Sequence, residues 1–180
     1  VYKMVTAMTE LLQAGIYSSG SDMITIRQEL EFIRFYLYLQ KERFDDKIEY
    51  AIEVEDESIL DLLLPKLSIE PIVENAIVHG LEKKVGKGAL TVCIRKEDDC
   101  IYFEITDNGL GFESDYIELD NHESAVSRKP GHNNIGLINT HKRIKMIYGD
   151  AYGIHIESRI DQGSKVTVRI PADRGESSYV

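Results

Sequence analysis

Asp107-Asn108-Gly109-Leu110-Gly111-Phe112 follows directly on the alternating run Ile101, Phe103, Ile105 and lies thirty-two residues downstream of Asn75. An acid at the end of a strand, followed by glycines two residues apart, makes a pocket floor. The carboxylate can take a hydrogen bond there, and the bare backbone lets a flat ring approach. That is a way to hold adenine.

Working outward, the same period of two recurs in Ile48, Tyr50, Ile52 and Val54, and in Leu90, Val92 and Ile94. It returns in Ile154 and Ile156, and in Val166, Val168 and Ile170, with Asp161-Gln162-Gly163 as a turn between these last two. Alternation of this kind predicts half-buried strands, five in all with the run that ends at Asp107. Between them, residues 67–81 and 135–148 read as helices. The expected plan is α+β: a two-layer sandwich, a mixed sheet with helices on one face.

Before the first strand the period is different. Val1, Val5, Met8 and Leu12 are spaced four, three, four, and Ile26, Leu30, Ile33 and Leu37 repeat that spacing, so a helical hairpin is predicted over 1–44. Ser18-Ser19-Gly20-Ser21-Asp22 is the break, and Thr25 with Gln28 three residues on is a capping-box start for the second helix. Leu11, Phe32, Phe35 and Tyr36 add more apolar surface than a hairpin hides. Pairing with a second copy is therefore expected, and packing onto the chain's own domain is the alternative. Residues 113–134 are polar and are expected to form a mobile lid; 176–180 form a tail.

Composition removes several classes. With 180 residues and 43% hydrophobic content the chain can bury one main core. A net charge of -10 lacks the basic footprint of a nucleic-acid surface. No apolar run approaches the roughly 20 residues needed to cross a bilayer, and the first residues lack the layout of a secretory signal. A soluble, cytoplasmic piece is expected. Cys93 and Cys100 lack metal-ligand spacing and read as small buried hydrophobes.

On the helix over 67–81, Glu70, Glu74 and Asn75 sit among Ile72, Val73, Ala76 and Ile77. An amide oxygen suits a hard cation, and Asn75 can ligate Mg²⁺ without adding charge beside a triphosphate. Taken alone, Asn75 reads more readily as a surface or capping amide. Its spacing to Asp107 changes that balance.

Four blocks in order resemble a known family. Glu70-Pro71-Ile72-Val73-Glu74-Asn75-Ala76-Ile77-Val78-His79-Gly80-Leu81 looks like the N box of the GHKL ATPases, and 107–112 like their G1 box. Asn134-Ile135-Gly136-Leu137-Ile138-Asn139-Thr140 resembles the G2 box, with Lys142-Arg143-Ile144 after it, and Gly163-Ser164-Lys165-Val166-Thr167-Val168 resembles the last glycine block. Residues 25–44, with Glu29-Leu30-Glu31 and Gln40-Lys41-Glu42-Arg43-Phe44, are similar to the helix leading from the dimerisation region into the ATPase domain of LytS/YesM-type sensor histidine kinases. The resemblance implies a Bergerat-type fold over 45–175, a partial dimerisation region over 1–44, and ATP with Mg²⁺ as ligands.

Carried over residue by residue, it implies that Asp107 accepts from the adenine amino group, that Gly109 and Gly111 admit the base, and that Asn75 ligates Mg²⁺. Asn134, Gly136, Leu137 and Ser164 belong to the nucleotide-binding blocks, and His79 and Gly136 would lie near the phosphates. For His79 the alternative is a surface histidine capping its own helix. For Arg143, a phosphate contact competes with a solvated helix-face charge beside Lys142 and Lys145. Glu74, adjoining Asn75, and His79 are the candidates for a catalytic role.

Two departures carry meaning. Asn134 stands where the G2 box resembles a glycine, which puts the lid hinge in question. ATP-hydrolysing relatives of the gyrase type resemble one another in a glutamate four residues before the N-box asparagine. Here that place is Pro71, which cannot activate water, so transfer to a protein acceptor is expected over hydrolysis. The five histidines are His79, His122, His132, His141 and His155, and none lies within 1–44, whereas such kinases resemble one another in carrying the acceptor on the first dimerisation helix. The expectation is therefore the C-terminal kinase part of a homodimeric membrane receptor. Its acceptor histidine would lie on an upstream helix, and its partner would be a response regulator. A serine kinase of the anti-sigma-factor type and a non-catalytic nucleotide-sensing module are the alternatives.

Overall fold

The computed structural model describes residues 22–45, 47–112, 119 and 135–172. The first expected helix, the lid apart from Leu119, Asn134 and the tail lie outside these residues.

The five expected strands form one sheet. They are β2 (Ile48–Val54), β4 (Gly88–Glu97), β5 (Cys100–Asp107), β6 (Gly153–Arg159) and β7 (Gly163–Pro171), in the order β2-β4-β5-β7-β6. β2 runs parallel to β4 and every other neighbour is antiparallel. Alternation sorts the faces: Leu90, Val92, Ile94, Ile101, Phe103, Ile105, Val166, Val168 and Ile170 are buried in the same core as the helices. Asp107 continues that inward series. A carboxylate thus points inward because strand geometry sends every second residue there.

Three helices cover this face: α1 (Ile26–Arg43), α2 (Glu70–Asn75, running on as a π-helical turn over Ala76–Leu81) and α3 (Ile135–Tyr148). α1 starts on its expected capping box, with the Gln28 N–H donating to the Thr25 hydroxyl and the Thr25 N–H to the Gln28 amide oxygen. Its stripe Ile26, Leu30, Ile33 and Leu37, with Tyr36, is buried in the core of the domain that follows. For this helix, packing onto the chain's own domain is what the apolar stripe does. Beneath it lies a two-stranded sheet that alternation could not signal, β1 (Met23–Thr25) paired antiparallel with β3 (Leu63–Pro65).

α2 begins at Glu70 and not at 67, because Leu67 has φ 58°. A left-handed non-glycine residue costs roughly 1–2 kcal/mol and stops a right-handed helix. The Leu67 main chain is held from two sides. Its N–H donates to the Glu29 carboxylate at 3.2 Å and its carbonyl accepts from Arg143 Nη2 at 2.6 Å.

Candidate functional site

A cleft lies between α2, the ends of β5 and β7, and the first turn of α3. It is lined by Ile72, Asn75, Ala76, His79 and Gly80 from α2; Ile105, Asp107, Gly111 and Phe112 from β5 and the loop after it; Leu137 from α3; and Ser164 and Val166 from β7. Its enclosed volume is about 40 Å³, smaller than the ~300–1,000 Å³ of typical small-molecule sites, so a ligand of nucleotide size would extend beyond it. The α2 residues recur at i, i+3, i+4, i+7 and i+8, one face of a helix. On the sheet the lining residues are register partners, Ile105 opposite Val166 and Asp107 opposite Ser164.

Asp107 is the buried acceptor of the cleft, 5% exposed. One carboxylate oxygen accepts the Gly109 N–H at 2.7 Å, and the other accepts the Ser164 hydroxyl. Burial pushes its pKa above the ordinary aspartate value, although hydrogen bonds from Ser164 and Gly109 and the charge of Lys84 pull the other way. The neighbouring glycines serve this carboxylate. A Cβ on Gly109 would lie 2.5 Å from the Gly80 backbone carbon and 2.6 Å from Asp107 Oδ1. Gly111 has φ +58°, and a Cβ there would lie 2.0 Å from the Arg159 carbonyl oxygen. The space a side chain would need at either glycine is taken up by the chain itself, so both positions require glycine to build the floor. Gly111 lines the cleft and Gly109 supports it from behind.

At the other end, Asn75 Nδ2 donates to the Pro71 carbonyl at 2.8 Å, which leaves its amide oxygen as the atom offered to a ligand. A Cβ on Gly136 would sit 3.7 Å from Asn75 Nδ2 and 3.6 Å from the Pro71 side chain, so the first turn of α3 rests on the middle of α2. His79, half-buried, lines the cleft one helical turn beyond Asn75. Its ring is placed by the π-helical turn, in which the Glu82 N–H reaches back to the Ile77 carbonyl at 2.8 Å. Such wide turns are frequent at functional sites.

Of the expected residues among those described, Glu74, Gly109, Gly136 and Arg143 do not line the cleft. Glu74 is exposed and is not among the residues lining it. Arg143 donates through Nη2 to the Leu67 carbonyl, so one of its guanidinium donors serves as a main-chain anchor. Conversely, the apolar walls Ile72, Ala76, Ile105, Leu137 and Val166 complete the cleft. Their signal in the sequence was the helical face of α2 and the two-residue step on β5 and β7.

A buried carboxylate flanked by a hydroxyl, facing apolar walls, fits a flat heteroaromatic ring that carries an amino donor. The family model described as histidine kinase-, DNA gyrase B-, and HSP90-like ATPase matches residues 64–174. The chain belongs to this ATPase family. Its N-terminal residues 1–48 match the model described as histidine kinase, so both models stand in order along the chain. The chain is 30% identical over 95% of its length to the sensor histidine kinase YesM of Bacillus subtilis. It is also 30% identical over 93% of its length to the sensor protein LytS of Oceanobacillus iheyensis. It spans 28% of the length of each. The histidine kinase ThkA, solved in complex with the response regulator TrrA, superposes with a TM-score of 0.61 at 14% identity, over 98% of this chain and 50% of that one. That likeness shows the histidine-kinase catalytic-domain fold. Membership of this ATPase family implies that the chain uses ATP.

Proposed function

We propose that this chain is the ATP-binding catalytic part of a sensor histidine kinase. In the whole protein, a homodimer in the bacterial cell membrane with this part on the cytoplasmic side, it passes the ATP γ-phosphoryl group to a histidine on an upstream helix. An aspartate of a response regulator then receives it. Among the described residues no helix is long and apolar enough to cross a membrane, and the membrane segments of this reading belong to the rest of the receptor.

One observation carries the reading: Asp107 and Asn75 stand at two ends of a single cleft, with Pro71 where hydrolysing relatives resemble one another in an acid. Asp107 accepts from the adenine amino group beside Ser164, while Ile72, Ile105, Leu137 and Val166 keep water from the ring. Asn75 offers its amide oxygen to Mg²⁺. One protein ligand suits that ion, which keeps waters and phosphates for the rest, and no group of three acidic, histidine or cysteine side chains among the described residues offers a cage. Bound there, Mg²⁺ would neutralise charge on the triphosphate. His79 and the first turn of α3 flank the phosphates, where main-chain N–H groups at a helix start favour anions. An acceptor imidazole nitrogen then forms a bond to the γ-phosphorus as the bond to the β-phosphate oxygen breaks, and ADP leaves with the electron pair.

The test is to mix the chain with γ-labelled ATP, Mg²⁺ and a separately made helix carrying the acceptor histidine. Acid-labile label on that helix is the expected result. Label released as inorganic phosphate, or held on serine, would overturn the reading.

A further inference from the structure

α2 carries Asn75 and His79, yet it has no cap of its own. The residue at its N-cap position, Ile69, makes no side-chain cap. The nearest hydroxyl, Ser68, donates to the Pro65 carbonyl. The cap comes from α1, about forty residues away. Glu29 is 1% exposed and accepts the N–H of Ile69 at 2.9 Å, of Leu67 at 3.2 Å and of Glu70 at 3.3 Å. The N–H groups of Ile69 and Glu70 are donors that a helix start leaves unsatisfied, and an ionised carboxylate there would also meet the positive end of the helix dipole, although burial pushes the Glu29 pKa up.

The far end of α2 is held by the same helix. Arg43, the last residue of α1, donates through Nη2 to Glu82 at 2.6 Å, and Glu82 is the residue that closes the π-helical turn carrying His79. α1 therefore grips α2 at both ends, at Ile69, six residues before Asn75, and at Glu82, seven residues after it. The Leu67 loop extends the grip to a third helix, since Arg143 of α3 holds the Leu67 carbonyl and α3 begins with the Gly136 turn resting on Asn75. A left-handed leucine persists only where its surroundings over-determine it, and here two helices do so.

We propose that Glu29, assisted by Arg43, is a positioning residue that sets the phosphate end of the nucleotide cleft through the two ends of α2. α1 is thus the splint by which the chain preceding the ATPase domain sets Asn75 and His79 relative to Asp107. At the adenine end Asp107 and Ser164 are placed by strand register, so they depend on this grip less directly than Asn75 and His79 do, although Ile72, Ala76 and Gly80 of α2 also line that end. This rests on the nucleotide reading of the cleft.

The experiment titrates the whole chain with adenosine and, separately, with Mg²⁺-ATP, for the unchanged protein, Glu29→Gln, Arg43→Glu and the double variant Arg43→Glu/Glu82→Arg. Adenosine reads the base end alone. Glu29→Gln is expected to weaken Mg²⁺-ATP about tenfold, as for loss of a hydrogen bond to a charged group, and to leave adenosine within about twofold. Arg43→Glu should weaken Mg²⁺-ATP selectively, and the reversed pair should restore it. Equal weakening of both ligands, or no weakening in a folded variant, would overturn the positioning role. Should Glu29→Gln fail to fold, the charge reversal decides: selective weakening restored by Glu82→Arg supports the splint, and no restoration overturns it. An unchanged protein that binds neither ligand would instead sink the nucleotide reading, and the splint with it.

Discussion

The two ends of the cleft are built on different principles. At the sheet end, Asp107 and Ser164 are register partners on adjacent strands, and their side chains are already bonded to each other and to the Gly109 N–H. At the helix end, Asn75 is half-buried with one internal bond, and His79 is half-buried on a π-helical turn. Strand pairing sets side-chain direction through main-chain hydrogen bonds of the same sheet, whereas helix position depends on what is packed against it. The base end is therefore preorganised, and the phosphate end is adjustable. For a catalyst of phosphoryl transfer this is a useful division, because positioning of the phosphates is most of the chemistry.

The strongest blow to the comparison falls on the sheet end. Asp107→Asn replaces an acceptor oxygen with a donor facing the Ser164 hydroxyl or the Gly109 N–H. ATP and adenosine should both weaken by about 10–100-fold, the range for a hydrogen bond to a charged group. Calorimetric titration beside a thermal melt checks it, and unchanged affinity in a folded variant would remove Asp107 from the base-binding role.

A smaller and more selective effect is expected at the helix end. Asn75→Ala should weaken ATP roughly fivefold to tenfold in the presence of Mg²⁺ and leave adenosine unaltered, since one hydrogen-bonding or ligating group is lost. A variant that keeps the full Mg²⁺ dependence of the parent would refute Asn75 as the ligand. Should adenosine weaken as well, the two ends are not independent and the comparison itself fails.

The smallest effect concerns pH. Glu70 at the start of α2 is pushed up to about 8 by burial, then by the charges of Glu74 on its own helix and Glu29 on α1. Its pKa in the folded chain exceeds the unfolded value of about 4.3, so the folded state binds the extra proton. Stability through this group is highest below the unfolded pKa, falls as pH rises towards 8, and is level above. Glu70→Gln should flatten the dependence of the melting temperature over that window and raise it at pH 8, at about 2–4 °C per kcal/mol for a chain of this size. A melting temperature at pH 8 no higher than the parent's would show that Glu70 is not carrying that cost.

Much of this was legible in the chain because it is local. Period-two runs marked all five strands of the main sheet, Thr25 and Gln28 marked the start of α1, and the acid before two glycines marked the cleft floor. Arg143 was not legible: a guanidinium on a helix beside lysines reads as a solvated or phosphate-facing charge, and only the neighbouring loop shows that it holds Leu67. β1 and β3 are three residues each, too short for alternation to register.

The sequence by itself determined which residues face inward on each strand and helix, and hence which polar groups could share a cleft, because side-chain direction follows from the backbone period. Tertiary structure alone decided where α2 begins, what caps it and where Arg143 goes. Those outcomes rest on Glu29 meeting Ile69 and on Leu67 being held left-handed between α1 and α3. Contacts between residues thirty-eight or more apart leave no periodic trace. They depend on which donors the folded chain leaves unpaid in water-free surroundings, and a buried carboxylate or guanidinium goes where those groups are.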